Sequence, residues 1–194
     1  MTTDASAAHW REAASSEWFR QNHALRVALR EWARRQRHPP TGHADAADYD
    51  SIVELGANRA RNLQILRGFW PAAQLVAQDI AADVLGLDCP GAARIVCDMR
   101  DVPDLLLGRY GLVLTMSALD HLDTADARMV CDWVAAHAGE ALLVEPVGDR
   151  FYGDANWTWA HPLDVWLPGA EVGPEVELPG AVCTYHFVHW RADA

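Results

Sequence analysis

From residue 51 onward, short apolar runs alternate with stretches of helical periodicity, and this alternation constrains the fold more than any other feature. Five apolar runs predict strands, at 51–57, 74–80, 93–98, 110–119 and 140–147. The segments between them predict helices, at 59–68, 81–86 and 123–137. Strands that are apolar along nearly their whole length are buried on both faces, as in a parallel sheet covered by helices. The pattern therefore predicts an α/β fold with a doubly wound, mostly parallel sheet.

The composition divides the chain into three parts. Residues 1–37 predict two helices, near 5–14 and 17–36, which would form an N-terminal helical lid or extension. The stretch 38–50 contains paired prolines and small polar residues, which predict a connector. Residues 51–194 then form the α/β domain.

The end of the chain departs from the alternating pattern. Glu175–Leu178 and Cys183–Trp190 alternate apolar and polar residues and are joined through Pro179–Gly180. Two short runs separated by a Pro-Gly turn are typical of antiparallel strands. We therefore predict that the sheet closes with an antiparallel C-terminal strand.

The net charge of −11 is unevenly distributed. Residues 1–37 sum to +3 and the remaining residues to −14. An acidic body repels phosphate backbones, so nucleic acid is not expected as the main partner, although the basic N-terminal segment leaves that alternative open. No apolar run approaches the roughly 18 residues that a membrane span needs. We expect a cytoplasmic protein with a small-molecule substrate and no membrane partner, and a homodimer remains an open alternative to a monomer.

Metal binding is not expected. The four cysteines are widely spaced and form no C-x-x-C pair. The histidines before residue 51 lie outside any acid or cysteine cluster with the spacing of metal ligands.

The strongest local motif is VELGANRARNL, at residues 53–63, in which an apolar strand ends in an acid, a glycine turn and a helix. Gly56 would let the backbone approach a ligand without a side-chain clash. Ligands of such sheets bind beyond the carboxyl ends of the strands, near the point where the strand order reverses. The motif therefore favours a nucleoside-type cofactor, with a purely structural turn as the alternative.

Acids also close the next two strands. Asp79 ends LVAQD, where it could accept hydrogen bonds from both ribose hydroxyls, and Asp98 ends RIVCD. Met99 follows Asp98, and the two could hold an adenine amino group and ring face. Each acid alone could be a helix cap or a solvated loop residue, but three acids in step at successive strand ends favour one shared ligand.

At these residues the sequence resembles the class I S-adenosylmethionine-dependent methyltransferases. The motif E-x-G-x-G-x-G-R-N-L of many small-molecule members is similar to residues 54–63, with Asn58 and Ala60 at the second and third glycine positions. The resemblance implies a Rossmann-like sheet and S-adenosylmethionine as cofactor. It also assigns a set of residues to cofactor binding: Glu54, Gly56, Asn58, Arg61, Asn62, Asp79, Asp98, Met99 and Met116. Gly111 stands where the family commonly has Asp.

Candidates for the acceptor side follow the fourth and fifth strands. A general base with a pKa near neutrality assists methylation of a hydroxyl or ammonium group, and the catalytic candidates are Asp120, His121 and His161. The substrate-binding candidates are an acid and four aromatic residues: Glu145, Tyr152, Trp157, Trp159 and Trp18. The alternatives are that Asp120 or His121 caps the helix beginning near Asp123, and that the tryptophans simply cover the sheet.

These observations predict a methyltransferase that acts on a small molecule, in specialised metabolite biosynthesis. One alternative is an enzyme that transfers or cyclises the aminocarboxypropyl arm of the same cofactor and releases methylthioadenosine. A second is a non-catalytic cofactor-binding protein, and a third is RNA methylation, which rests only on the arginine-bearing helix.

Overall fold

The computed structural model describes residues 23–38, 46–83, 85–86, 88–148, 150–151, 158–176 and 184–192. Within these ranges one sheet has seven strands: β1 (Ser51–Leu55), β2 (Gln74–Asp79), β3 (Ala93–Val96), β4 (Tyr110–Met116), β5 (Ala138–Glu145), β8 (Glu171–Val176) and β9 (Tyr185–Arg191). Their order across the sheet is β3-β2-β1-β4-β5-β9-β8. A separate pair consists of β6 (Arg150–Phe151) and β7 (Trp159–Ala160).

The helices of the described ranges are α1 (His23–Arg37), α2 (Arg61–Arg67), α3 (Val102–Leu105), α4 (Thr124–His137) and α5 (Leu163–Trp166). Two 3₁₀ turns, Met99–Asp101 and Leu119–His121, follow β3 and β4. None of the helices in this part of the chain is long and apolar enough to cross a membrane.

The strand directions confirm the predicted sheet. Strands β1 to β5 pair in parallel, whereas β9 is antiparallel to β5 and β8 is antiparallel to β9. On one side of β1 lie β2 and then β3, and on its other side lie β4 and then β5. The order therefore reverses between β1 and β4, which places their carboxyl ends side by side.

Successive residues of the central strands point to opposite faces of the sheet, and each face has its own core. Ile52 and Leu112 contribute to one core, together with Leu25 and Leu29 of α1. Val53 and Val113 contribute to the other, which lies against α4. Both faces are thus apolar and covered by helices, as the unbroken apolar runs predicted.

Three elements differ from the sequence-based predictions or lie partly outside the described residues. The predicted helix 81–86 is wrong, because its described residues form turns and the N–H group of Gly86 bonds to the carbonyl of Asn58 at 2.9 Å. The first C-terminal strand begins at Glu171, earlier than expected, and ends at Val176 within the described ranges. The helix predicted near 5–14 lies outside the described residues, as do residues 17–22 of the second predicted helix. The rest of the second helix is seen as α1.

Candidate functional site

The carboxyl ends of β1, β3 and β4 meet at Gly56. Its φ angle is +69°, and a Cβ atom built there would lie 2.5 Å from the Cβ of Ala118 and 3.4 Å from the Cε of Met99. Only glycine fits this point, because any larger residue would collide with the turn after β4 and would carry backbone strain. Parallel sheets bind their ligands at such a switch point.

The turn after Gly56 keeps left-handed backbone angles at the two positions where the motif usually has glycine. Asn58 has φ +46° and Ala60 has φ +58°. Asn tolerates this region better than most residues, whereas Ala carries a steric cost of about 1–2 kcal/mol there. The turn therefore follows a glycine-type path without the glycines.

Asp79 lies beside this turn with capacity to bind a ligand. Its Oδ2 accepts the N–H of Asn58 at 2.7 Å, and its Oδ1 accepts the N–H of Ala81 at 2.8 Å. The backbone N–H of Ile80 also stabilises this carboxylate, so three of the about four lone-pair sites of Asp79 are used within the protein. Burial raises the pKa of Asp79, and the backbone N–H groups partly oppose that rise.

Glu54 lies behind the turn and is almost fully buried. Its Oε1 accepts the side-chain amide of Asn62 at 2.6 Å. Neither Oε2 of Glu54 nor Oδ1 of Asn58 has a hydrogen-bond partner among the described residues. Burial raises the pKa of Glu54 to about 8. The buried Oδ1 of Asn58 is therefore an acceptor that suits a ligand with a hydrogen-bond donor.

Gln78 connects these elements and was not singled out from the sequence. Its Oε1 accepts the N–H of Gly56 at 3.2 Å, and its Nε2 donates to the carbonyl of Cys97 at 2.8 Å. It therefore ties the glycine turn to the end of β3. The available signal was a polar residue inside the otherwise apolar run LVAQD.

Asp98 and Arg61 make contacts within the protein itself. Asp98 accepts the backbone N–H of Arg100 at 3.0 Å and pairs with its guanidinium at 2.8 Å, so it caps the 3₁₀ turn after β3. Arg61 pairs with Asp88 at 2.5 Å. Met116, at the end of β4, is buried in the core beside α1.

Glu145, proposed from the sequence to bind substrate, is fully buried and organises the turn after β4. Its carboxylate accepts the N–H groups of Ala118, Leu119 and Asp120 at 3.1 to 3.3 Å. Burial raises the pKa of Glu145 to about 8, and the neighbouring Asp120 adds to the rise.

Asp120 and His121 form a pair on that turn. Asp120 is fully buried, and its Oδ2 accepts the hydroxyl of Tyr185 at 3.0 Å and that of Ser117 at 3.3 Å. Its Oδ1 lies 3.5 Å from Nε2 of His121, whose side chain is 11% exposed. The cap of α4 is Asp123, so neither member of the pair has that role. Tyr185 was not singled out from the sequence.

His161 supports the same turn from behind. It is fully buried, its Nε2 lies 3.0 Å from the carbonyl oxygen of Leu119, and its ring stacks on Trp166 at 5.4 Å. Burial lowers its pKa, which favours the neutral ring. Trp159 is half-buried on β7. The other aromatic candidates, Tyr152, Trp157 and Trp18, lie outside the described residues.

The described ranges contain no group of three or more His, Cys, Asp or Glu side chains that could hold a metal ion.

No protein-family model matches the chain, and no match is found among the curated proteins. Solved structures do match. The N-methyltransferase NodS from Bradyrhizobium japonicum, in complex with S-adenosylhomocysteine, is 12% identical with a TM-score of 0.68, and the match covers 100% of both chains. The 1,6-didemethyltoxoflavin-N1-methyltransferase of Burkholderia thailandensis is 15% identical with a TM-score of 0.66, over 100% of this chain and 92% of the other.

An O-methyltransferase family protein from Burkholderia thailandensis is 14% identical with a TM-score of 0.60. The match covers 100% of this chain but 64% of that protein, so the chain spans less than two thirds of its length. At identities this low, the likeness establishes the fold alone. The chain has the fold of the class I S-adenosylmethionine-dependent methyltransferases.

Proposed function

We propose that the protein is an S-adenosylmethionine-dependent methyltransferase that acts on a small-molecule acceptor. The proposal rests on one observation: the Gly56 turn, Asp79 and Glu54 lie together at the point where the strand order reverses. The two N-methyltransferases of similar fold are both complexes with S-adenosylhomocysteine, which supports the same cofactor here.

The residues at the turn fit this cofactor chemically. Asp79 has acceptor capacity for a ribose hydroxyl, and the buried Oδ1 of Asn58, which has no hydrogen-bond partner within the described ranges, can accept a hydrogen bond from the cofactor's ammonium group. Met99, packed over the Gly56 turn, offers an apolar surface for the adenine ring. Asp98 pairs with Arg100, so the adenine role predicted from the sequence would compete with that ion pair. When bound, S-adenosylmethionine supplies an electrophilic methyl group on a sulfonium sulfur.

His121 is the proposed general base, and Asp120 is its orienting partner. Asp120 is held by Tyr185, while Glu145 and His161 fix the backbone of the turn that presents both residues. A neutral histidine at this edge can accept the proton that a hydroxyl or ammonium acceptor loses. Glu145 and His161 are proposed to position this turn, because both side chains are fully buried.

The acceptor pocket is proposed to lie beside β7, which contains Trp159. Tyr152, Trp157 and Trp18, the other aromatic candidates from the sequence, lie outside the described residues. Flat aromatic surfaces can exclude water and stack on a planar acceptor. A role in specialised metabolite biosynthesis is consistent with the toxoflavin-type substrate of one structural neighbour. Methyl transfer is favoured over transfer of the aminocarboxypropyl arm, because the structures named above are methyltransferases.

Two measurements test the proposal. Calorimetric titration with S-adenosylhomocysteine should show one site per chain, and absence of binding at high micromolar ligand would refute it. Incubation of S-adenosylmethionine with a panel of small hydroxyl and amine acceptors, followed by mass spectrometry, should yield S-adenosylhomocysteine. Methylthioadenosine as the product would instead identify transfer of the aminocarboxypropyl arm.

A further inference from the structure

The left-handed turn at residues 58–60 poses a physical problem, because Asn58 and Ala60 occupy angles that favour glycine. Residues in sparsely populated backbone regions persist only when the surrounding structure over-determines them. The contacts that hold this turn in place should therefore be visible around it.

Those contacts come from the segment after β2, of which the sequence predicted residues 81–86 as a helix. The N–H of Gly86 donates to the carbonyl of Asn58, and the N–H of Asp88 donates to the carbonyl of Arg59, both at 2.9 Å. Two consecutive carbonyl groups of the turn are thus fixed by one neighbouring loop.

The Asp88 side chain adds a second set of contacts. It accepts two parallel hydrogen bonds from Arg59, from Nε to Oδ2 at 2.8 Å and from Nη2 to Oδ1 at 2.7 Å. Its Oδ2 also accepts a hydrogen bond from Nε of Arg61 at 2.5 Å. Arg59 and Arg61 are the residues on either side of Ala60. The Asp88 side chain is 25% exposed. Its hydrogen bonds to the two arginines lower the pKa of Asp88 to about 2.

We propose that Asp88 is a positioning residue for the cofactor turn: by clamping Arg59 and Arg61 it keeps Ala60 in the left-handed conformation that glycine would adopt without support. The inference rests on the proposed function in one respect, namely that this turn receives S-adenosylmethionine. Asp88 itself touches the turn, and it acts on the cofactor only through the backbone path.

A double-mutant cycle tests the clamp. Its four proteins are the wild type, Asp88→Ala, the glycine variant Asn58→Gly/Ala60→Gly, and the combination of all three substitutions. In the wild-type background, loss of the clamp should weaken S-adenosylhomocysteine binding ~10-fold, as expected for residues in one contact network. In the glycine background the same loss should be less than ~3-fold, because glycine adopts the left-handed angles unaided.

Urea unfolding of the same four proteins tests the proposed role of Asp88 without any ligand. Asp88→Ala should lower the unfolding midpoint more in the wild-type background than in the glycine background. Equal changes in both backgrounds would overturn the clamp, whatever the binding data show. If the wild type fails to bind S-adenosylhomocysteine while the unfolding cycle shows coupling, the proposed function fails and the clamp stands.

The controls separate the clamp from loss of charge and from misfolding. Asp132→Ala removes an aspartate that pairs with Arg128 at 2.9 Å on α4, away from the turn, and should show the same small effect in both backgrounds. If Asp88→Ala does not fold alone, Asp88→Asn replaces it in the cycle, since the amide keeps the shape and removes the charge. Recovery of a folded protein when Asp88→Ala is combined with the two glycines would itself support the clamp.

Discussion

Replacing Glu54 by Gln should change how the stability of the protein depends on pH. Glu54 is 1% exposed; Oε1 accepts the Asn62 amide, and Oε2 has no partner within the described ranges. Burial raises its pKa from 4.5 to about 8. Between these values the folded protein keeps a proton that the unfolded chain has released. Stability therefore falls as the pH rises through this window.

The size of the effect follows from the shift. Each unit of pKa difference corresponds to about 1.4 kcal/mol, so Glu54 destabilises the folded state by up to about 5 kcal/mol at pH 9 relative to pH 4. Gln cannot ionise, yet its oxygen can still accept the Asn62 amide. Urea unfolding of the ligand-free protein at pH 5, 6, 7 and 8 should show a slope that is shallower in Glu54→Gln by about 1.4 kcal/mol per pH unit.

The comparison isolates Glu54 because Glu145, whose pKa is also raised to about 8, contributes equally to both proteins. Glu31→Gln is the matched control: hydrogen bonds from Arg34 and Arg35 lower the pKa of this exposed acid to about 2, so its titration lies below the window. The control should leave the slope between pH 5 and 8 unchanged. An identical slope in Glu54→Gln and the wild type would mean that buried Glu54 is ionised, and the reasoning from burial would be refuted.

Three further substitutions address the site. Gly56→Ala should abolish S-adenosylhomocysteine binding in calorimetry and lower the melting temperature, because its Cβ would lie 2.5 Å from that of Ala118; a variant that binds normally would contradict this crowding. Asp79→Ala should weaken that binding by ~1.5–3 kcal/mol, and unchanged affinity in a folded variant would count against a ribose role. His121→Asn should leave cofactor affinity unchanged and slow methyl transfer ~10²–10⁴-fold, measured as release of S-adenosylhomocysteine; full activity would exclude it as the base.

The periodicity of the sequence was enough to predict the layers of the fold. Runs such as YGLVLTM are apolar on both faces, which requires a sheet covered on both sides, and the Pro-Gly turn near the end predicted the antiparallel closure. The helix predicted at 81–86 failed because local propensity carries no information about the carbonyl of Asn58, which the backbone at Gly86 binds instead.

Within the site, the sequence predicted which residues follow the strands, because parallel strands bring their carboxyl ends to one edge. It could not predict which of those side chains form hydrogen bonds or ion pairs with other groups of the protein. Asp98 is paired with Arg100, Glu145 accepts three backbone N–H groups, and Asp79 accepts those of Asn58 and Ala81.

Neighbouring residues alone encode the alternation of strands and helices, the glycine turn and the acids at the strand ends. The contact of Tyr185 with Asp120, and that of Asp88 with the turn that lacks two glycines, arise only when distant parts of the chain pack together. These contacts join residues 65 and 29 positions apart. Such pairs depend on the strand order and on the direction of each side chain, which no local pattern encodes.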